Sequence, residues 1–311
     1  MSFHVVTGAG PTGTATALLL AGSGEQVRLV TRRGTGPEHP GIERIAADAA
    51  DADALTALAE GALSLVNCAA PPYHRWLTEF PPLAAGLLTA AERTGAGYVM
   101  LGNLYGYGPV DGPLTEDLPA APTSRKGTLR AALWAEALAA HRAGRARVTE
   151  VRASDFLGRG ATSLFGFTVV PAVLAGEPVG YPADLDAPHS WSHLGDVAAT
   201  LVAAARNEAS WGRAWHVPST SEASAREVAR RLAAAAGAPE PALTAAHRRR
   251  AGRSGPVGGR NPRRGGGDGL PVRPAAAAGL DAYGGGARGD GDAVRGGGRG
   301  DRPRRAVVVR S

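Results

Sequence analysis

Phe3-His4-Val5-Val6-Thr7-Gly8-Ala9-Gly10-Pro11-Thr12-Gly13, running on into Thr14-Ala15-Thr16-Ala17-Leu18-Leu19-Leu20-Ala21, is the stretch from which the rest of the chain can be read. Residues 3–7 read as a short buried strand and Thr14–Ala21 as a helix, with a glycine loop between them. That order is what a dinucleotide pyrophosphate site requires. Gly8 permits the tight turn out of the strand, Gly10 lets backbone approach a pyrophosphate with no side chain in the way, and Gly13 lets the helix pack on the strand. The free N–H groups and partial positive charge of the helix N-terminus then face the phosphates. Gly8, Gly10, Pro11, Thr12 and Gly13 are therefore the expected cofactor-binding loop.

Working outward, the second strand, Gln26–Thr31, ends in Arg32-Arg33. The acidic residue that grips the ribose 2′-hydroxyl of NAD is missing there. Two guanidinium groups suit a 2′-phosphate, which they bind by charge-assisted, bidentate hydrogen bonds. NADP is the expected cofactor in preference to NAD, with Arg32 and Arg33 as its readers.

Strands and helices keep alternating: strand Ile42–Ala46, helix Ala52–Glu60, strand Ala62–Asn67, helix Leu83–Thr94, strand Gly97–Leu101, helix Leu129–Ala143 and strand Ala146–Arg152. This alternation predicts an α/β fold, a doubly wound parallel sheet of the Rossmann type. Residues 1–155 form the expected cofactor-binding domain and residues 156–246 a small C-terminal substrate-facing lobe. Ligands bind such sheets at the carboxyl ends of the strands, so Gly8–Gly13, Arg32, Asn67–Ala70 and Gly102–Tyr105 are expected to converge. Asn67 and Ala69 join the cofactor set.

Composition narrows the function classes. Of 311 residues, 44% are apolar and 20% charged, ordinary values for a globular protein. The single cysteine, Cys68, excludes a disulfide framework and multi-cysteine metal sites, and no metal site is expected. No apolar run approaches the roughly 20 residues a membrane helix needs. The chain opens into Phe3-His4-Val5-Val6 without a basic-then-apolar leader, so the expected location is the cytoplasm.

The net charge of +6 invites a nucleic-acid reading, but the charge is unevenly placed. Residues 247–311 hold 15 Arg, five Asp and neither Lys nor Glu, a net of +10, which leaves residues 1–246 with 19 basic and 23 acidic residues, a net of −4. The folded part is mildly acidic, and a pI of about 10.1 says nothing of a DNA-binding domain. The 65-residue tail has 18 Gly, one aromatic (Tyr283) and no Ile, Met, Phe or Trp. It offers too little apolar surface to offset a backbone ordering cost of about 1–2 kcal/mol per residue. Three readings stand: an Arg/Gly-rich RNA-binding tail, a passive disordered tail, or a stretch translated in the wrong frame of a GC-rich gene. Single-strand binders interleave aromatics for base stacking, which argues against the first.

Several further motifs, in order, complete the picture: Thr7-Gly-Ala-Gly-Pro-Thr-Gly13, Asn67-Cys-Ala-Ala70, Leu104-Tyr-Gly106, Thr115-Glu-Asp117, Arg152-Ala-Ser-Asp-Phe-Leu-Gly158 and His189-Ser-Trp-Ser-His-Leu-Gly-Asp196. On these the chain resembles the NAD-dependent epimerase/dehydratase proteins of the extended short-chain dehydrogenase/reductase superfamily over roughly residues 3–240. The resemblance stops where the odd composition starts, although members continue there with ordered structure, which supports the frame reading of the tail. It implies a Tyr-x-x-x-Lys pair on a helix and a Ser or Thr at a preceding strand end, in which the tyrosine passes a proton and the hydroxyl polarises the substrate oxygen. In Pro122-Thr-Ser-Arg-Lys126 the lysine is in place and the tyrosine position is Pro122. The strand-end position falls at Leu101–Asn103, with no hydroxyl.

The expected catalytic residues are accordingly Lys126 and Tyr105. Lys126 either holds the nicotinamide ribose, as the resemblance implies, or carries a proton itself once desolvated. Tyr105 and Tyr107 lie on the loop after the strand, where a phenol can replace the missing acid. Tyr73, Trp191 and His193 are the expected substrate-facing residues. His189 and His193 share one short loop, but no third ligand lies at metal spacing. Ser224-Ala-Arg-Glu227 is a capping box opening a helix to Ala236. The expected function is an NAD(P)-binding oxidoreductase or epimerase/dehydratase-like enzyme on a small carbonyl or sugar-like substrate. The alternative is an NADP-binding sensor or scaffold without turnover. Neither a membrane nor nucleic acid is an expected partner, and a homodimer is compatible with the sequence.

Overall fold

The strands that read as short apolar runs are buried on both faces of one sheet, which is why they do not alternate. A computed structural model describes residues 2–246; the tail 247–311, with the three readings given for it, lies outside the described residues. The central sheet contains β1 (Phe3–Thr7), β2 (Gln26–Thr31), β3 (Ile42–Ala46), β4 (Ser64–Asn67), β5 (Gly97–Asn103), β6 (Val148–Ala153) and β10 (Ala214–His216), in the order β10-β6-β5-β4-β1-β2-β3. Every neighbouring pair is parallel, with His4 beside Ser64 and Val27, and Gly102 beside Arg152. The chain reverses its direction of growth between β1 and β4, so the crevice above these two strands is the place for a ligand.

Helices cover both faces. On one, α1 (Pro11–Gly22) and α6 (Leu194–Arg206) bury Ala17, Leu20, Val197 and Leu201 against Val6, Leu29, Val66, Val99 and Val151. On the other, α2 (Ala52–Ala59), α3 (Trp76–Thr94) and α4 (Arg125–Arg142) bury Leu55, Phe80, Leu87 and Leu133 against Val5, Leu65, Tyr98 and Val148. Each fully buried Leu or Val contributes about 1.5–3 kcal/mol relative to exposure.

A third core belongs to residues beyond 156. It joins Phe165, Val169, Tyr181, Trp191, Ala229 and Leu243 from a π-helical turn (Phe165–Val169), α5 (Val170–Ala175), β8 (Val179–Tyr181), β9 (Trp191–His193), α7 (Ala225–Ala236) and β11 (Leu243–Ala245). Here β7 (Asp155–Leu157) pairs with β9 and β8 with β11, both parallel. The stretch 156–246 does not stay in this lobe, however. α6 and β10 return to the central sheet, because the sheet face next to α1 and the edge of β6 need covering.

Several helices begin earlier than apolar periodicity predicts. α1 starts at Pro11, α3 at Trp76 and α4 at Arg125, against expected starts at Thr14, Leu83 and Leu129. In α4 the reason is a cap: the Ser124 hydroxyl accepts the N–H of Gly127. In α3, Pro81 and Pro82 lie inside the helix. Its first turns are held from outside, by the Trp76 indole donating to the Pro71 carbonyl at 3.0 Å and by an edge-on Trp76–Phe80 stack.

Candidate functional site

The glycine loop is shaped by backbone packing. Gly8 has φ +88°, and a Cβ there would lie 2.8 Å from the backbone of Ala69, on the loop after β4. A Cβ at Gly13 would overlap the Gly8 carbonyl oxygen. Gly10 differs: a Cβ there meets nothing within 4 Å. It is the N-cap of α1 and gives no side-chain hydrogen bond to the first helical N–H groups. An open cradle with uncapped helix donors fits the pyrophosphate of a dinucleotide.

Asn67 and Ala69 frame that cradle. Asn67 is buried, and its Oδ1 accepts both the Thr7 hydroxyl at 2.8 Å and the Ala69 N–H at 3.0 Å. The Asn67 side-chain oxygen thus ties β1 to β4 and places Ala69 against Gly8. Cys68 beside it is desolvated, with its thiol pushed up to about 12. Arg32 and Arg33 are exposed in the turn after β2, and neither makes a side-chain hydrogen bond or ion pair with any described residue.

A second group gathers where β5, α3 and α4 meet. The ammonium of Lys126 lies 3.0 Å from the ring centroid of Tyr73. Tyr73 stacks edge-on against Trp76, whose ring lies 6.1 Å from that of Tyr105. The Tyr105 N–H is held by Asn103 Oδ1 at 3.1 Å. A Cβ at Gly127 would overlap the Tyr105 carbonyl oxygen, so the turn carrying Lys126 rests on the loop carrying Tyr105. Partial desolvation holds the Lys126 ammonium below its usual pKa. Burial, with Tyr73 and Asp155 adding to it, pushes the Tyr105 phenol well above its usual value, so Tyr105 is a neutral donor.

The helical pair spaced as Tyr-x-x-x-Lys differs from the one expected. Pro122 precedes the Ser124 cap and cannot share a helix face with Lys126. Lys126 and Arg130 both lie on α4, one turn apart. Arg130 turns inward, donating to the Leu101 carbonyl at 2.8 Å and to Glu150 at 3.4 Å. Glu150, also buried, takes Arg152 at 2.7 Å on its other oxygen. Arg152 donates to the Tyr107 hydroxyl, which meets His216 Nε2 at 2.8 Å. Tyr107 is therefore bound into a polar network below the cleft.

Two expected substrate residues part company. Trp191 has no exposed surface: its indole donates to the Ala223 carbonyl at 2.7 Å and its ring packs on Phe165. It is a packing residue of the lobe. His193 is exposed and caps α6, its Nδ1 accepting the Gly195 N–H at 3.2 Å. Sequence reasoning missed Asp155. From β7 its Oδ2 accepts His189 Nε2 at 3.0 Å and the buried Tyr181 hydroxyl at 3.5 Å. The only sequence signal was that Asp155 stands inside one quoted motif and His189 opens another. Among the described residues no three His, Cys, Asp or Glu gather to hold a metal, and no helix is long and apolar enough to cross a membrane.

Solved structures share this architecture. MoeE5 in complex with UDP-glucose and NAD is 25% identical, with a TM-score of 0.67 over 79% of this chain and 86% of that one. DesIV, a dTDP-glucose 4,6-dehydratase from Streptomyces venezuelae, solved with NAD as a double mutant, is 23% identical, with a TM-score of 0.66 over 79% and 84%. The UDP-glucose 4-epimerase of Thermus thermophilus, in complex with NAD, is 22% identical, with a TM-score of 0.65 over 80% and 88%. No curated protein sequence matches the chain. The model of the NAD-dependent epimerase/dehydratase family matches residues 4–217. The glycine cradle, the parallel sheet and this match agree: the chain belongs to the NAD-dependent epimerase/dehydratase family.

Proposed function

We propose that the protein binds NADP and acts on a small, sugar-like hydroxylated or carbonyl substrate. The observation that carries the cofactor reading is the open cradle at Gly10 above uncapped helix donors, with two exposed guanidinium groups, which have no partner among the described residues, at the end of the neighbouring strand. Gly8, Gly10, Pro11, Thr12 and Gly13 take the pyrophosphate, with Ala69 as the opposite wall. Arg32 and Arg33 take the 2′-phosphate. A bound nicotinamide supplies reversible hydride acceptance. Lys126 holds the ribose beside it or moves a proton at Nζ, Tyr105 donates a hydrogen bond to the substrate oxygen, and Tyr73 and His193 face the substrate. In this reading residues 1–155 are the cofactor domain, and the residues of the third core carry the substrate face. MoeE5, which shares the fold, is solved with UDP-glucose and with UDP-glucuronic acid, which supports the sugar-like class.

One observation favours a sensor without turnover: neither Pro122 nor the Lys126–Arg130 pair supplies a tyrosine, and Leu101–Asn103 supplies no hydroxyl. Titration with NADPH, NADP, NADH and NAD, read by fluorescence or calorimetry, tests the cofactor reading. NADPH is expected to bind at least about tenfold more tightly than NADH, a difference of about 1.4 kcal/mol, and Arg32→Gln with Arg33→Gln is expected to erase that preference. Equal affinity for NADPH and NADH in the unaltered protein sinks the NADP reading. No binding at all sinks the cofactor reading.

A further inference from the structure

Asp155 and His189 stand outside every role given above, yet they are built like a proton-handling pair. Asp155 Oδ2 holds His189 Nε2 at 3.0 Å. With Nε2–H donating to the carboxylate, Nδ1 carries the lone pair, and it makes no hydrogen bond to a described residue. The ring is fixed a second way, edge-on against the buried Trp191 at 4.5 Å between centroids. Asp155 is itself held by the buried Tyr181 hydroxyl. Both members are partly exposed, 32% for Asp155 and 24% for His189, so a substrate can reach them. Tying β7 to the chain before β9 needs only Nε2, which leaves Nδ1 without a partner among the described residues.

The placement matters as much as the pairing. The charge of Asp155 is felt by Tyr105, on the loop after β5, and by Tyr181, and Tyr181 also feels Tyr105. Tyr105 in turn faces Tyr73, under the Lys126 ammonium. The charge of Asp155 thus reaches the loop that also meets Tyr73 and the turn carrying Lys126.

We propose that His189 is the acid–base residue of this site and Asp155 the residue that positions it, acting on a hydroxyl or carbonyl of a neutral polyhydroxy or keto compound. The proposal rests on the NADP-dependent reading above. A carboxylate at this position disfavours an anionic group on the substrate carbon skeleton beside it. In the oxidising direction the substrate O–H bond breaks and its proton passes to Nδ1 of His189. The C–H electron pair leaves as hydride to the oxidised nicotinamide, and a C=O bond forms. Reduction runs the same balance backwards, with protonated His189 giving its Nδ1 proton to the new alkoxide.

The test uses the full chain, NADPH and dihydroxyacetone as a neutral hydroxyketone probe, which does not block the guanidinium groups of Arg32 and Arg33, following NADPH oxidation from pH 5 to 9. The groups facing His189 and able to shape its profile are Asp155 on β7, Tyr181 on β8 and, through Asp155, Tyr105. His189→Gln is expected to lower kcat by about 100-fold or more, to leave NADPH affinity unchanged and to flatten the fall in rate as pH rises. Asp155→Asn keeps the shape of the side chain, and it is expected to lower kcat less and shift the same limb. Turnover by the unaltered protein with unchanged kcat and pH profile in both variants overturns the pair and leaves the cofactor reading standing. NADPH binding without oxidation by dihydroxyacetone overturns the pair and favours the sensor. Should His189→Gln fail to fold, an unchanged kcat in Asp155→Asn overturns the proposal alone.

Discussion

Gly10 and Gly13 sit three residues apart in one loop and answer to different demands, which makes them separable by experiment. Gly10 has φ −67° and ψ 179°, a conformation open to any residue, and a Cβ there touches nothing. Gly10→Ala is therefore expected to keep the melting temperature within a degree or two while weakening NADPH binding by roughly tenfold or more, about 1.4 kcal/mol. Gly13→Ala drives a methyl into the Gly8 carbonyl and is expected to cost about 1–3 kcal/mol of stability, as overpacking does. Calorimetric titration beside thermal melts distinguishes the two, and an unchanged affinity in Gly10→Ala speaks against a pyrophosphate at that spot. The sequence made the three glycines legible because the strand–loop–helix order around them assigns each a separate task. Asn67 was harder to read. Its place in the motif pointed to the cofactor, whereas its oxygen is taken up by Thr7 and Ala69. Trp191 misled in the opposite sense, since a large aromatic between two histidines reads equally well as cleft or as core.

At the level of elements, β1, β2 and β3 match their expected limits residue for residue; for β1 and β2 this is because a mostly buried parallel strand is an apolar run, whereas β3 lies at the sheet edge with Glu43 and Arg44 exposed. The starts of α2 and α7 matched, but those of α1, α3 and α4 did not, and that mismatch falls where the site is. The first turns of α1, α3 and α4 carry Pro11, Trp76 and Lys126; they face loops and solvent, so apolar periodicity is blind to them. The three-residue strands β7, β8, β9 and β11 are too short for any period to show, which hid the Asp155–His189 pair. The loop between β5 and α4 is also fixed by contacts no period reveals. The Tyr107 hydroxyl meets the His216 ring on β10, and the Glu116 carboxylate accepts the His216 backbone N–H at 3.1 Å. Burial lowers His216 to about 4, against about 6.5 in an unfolded chain. Between those values the unfolded state binds more protons, so this contribution is present above pH 6.5 and is lost as pH falls toward 4. Glu116 acts in the same direction: burial alone raises its pKa, but the backbone N–H groups of His216 and of Glu116 itself, with the charges of His216 and Arg213, together outweigh burial and hold the carboxyl low. His216→Gln is expected to flatten the decline in melting temperature between pH 6.5 and 4.5. Some slope remains from Glu116 and from His4, which burial also keeps low. An unchanged slope means that the latch does not set the acid limit.

Across the whole molecule the charge and the cores divide at the same place. Among the described residues, the three cores above draw their members from residues 5–243, and the interactions reported at the candidate site lie within residues 7–223. The excess positive charge lies wholly beyond residue 246, where the net is +10 against −4 for the residues before it. Folding and cofactor binding are therefore expected to draw on residues 2–246, and attraction to polyanions on the basic residues beyond them. A chain ending at Ala246 is expected to melt cooperatively and to bind NADPH as tightly as the full chain. The full chain is expected to stay on immobilised heparin at low salt and to elute as salt rises, because releasing counterions is what drives such binding. The shortened chain, with its acidic balance, is expected to flow through. Loss of NADPH affinity on shortening would falsify this division, because the site then depends on residues outside the three cores. Retention of the shortened chain on heparin would instead require a local basic surface that its net charge conceals, and Arg32, Arg33 and the exposed Arg159 are the first residues to substitute in finding it.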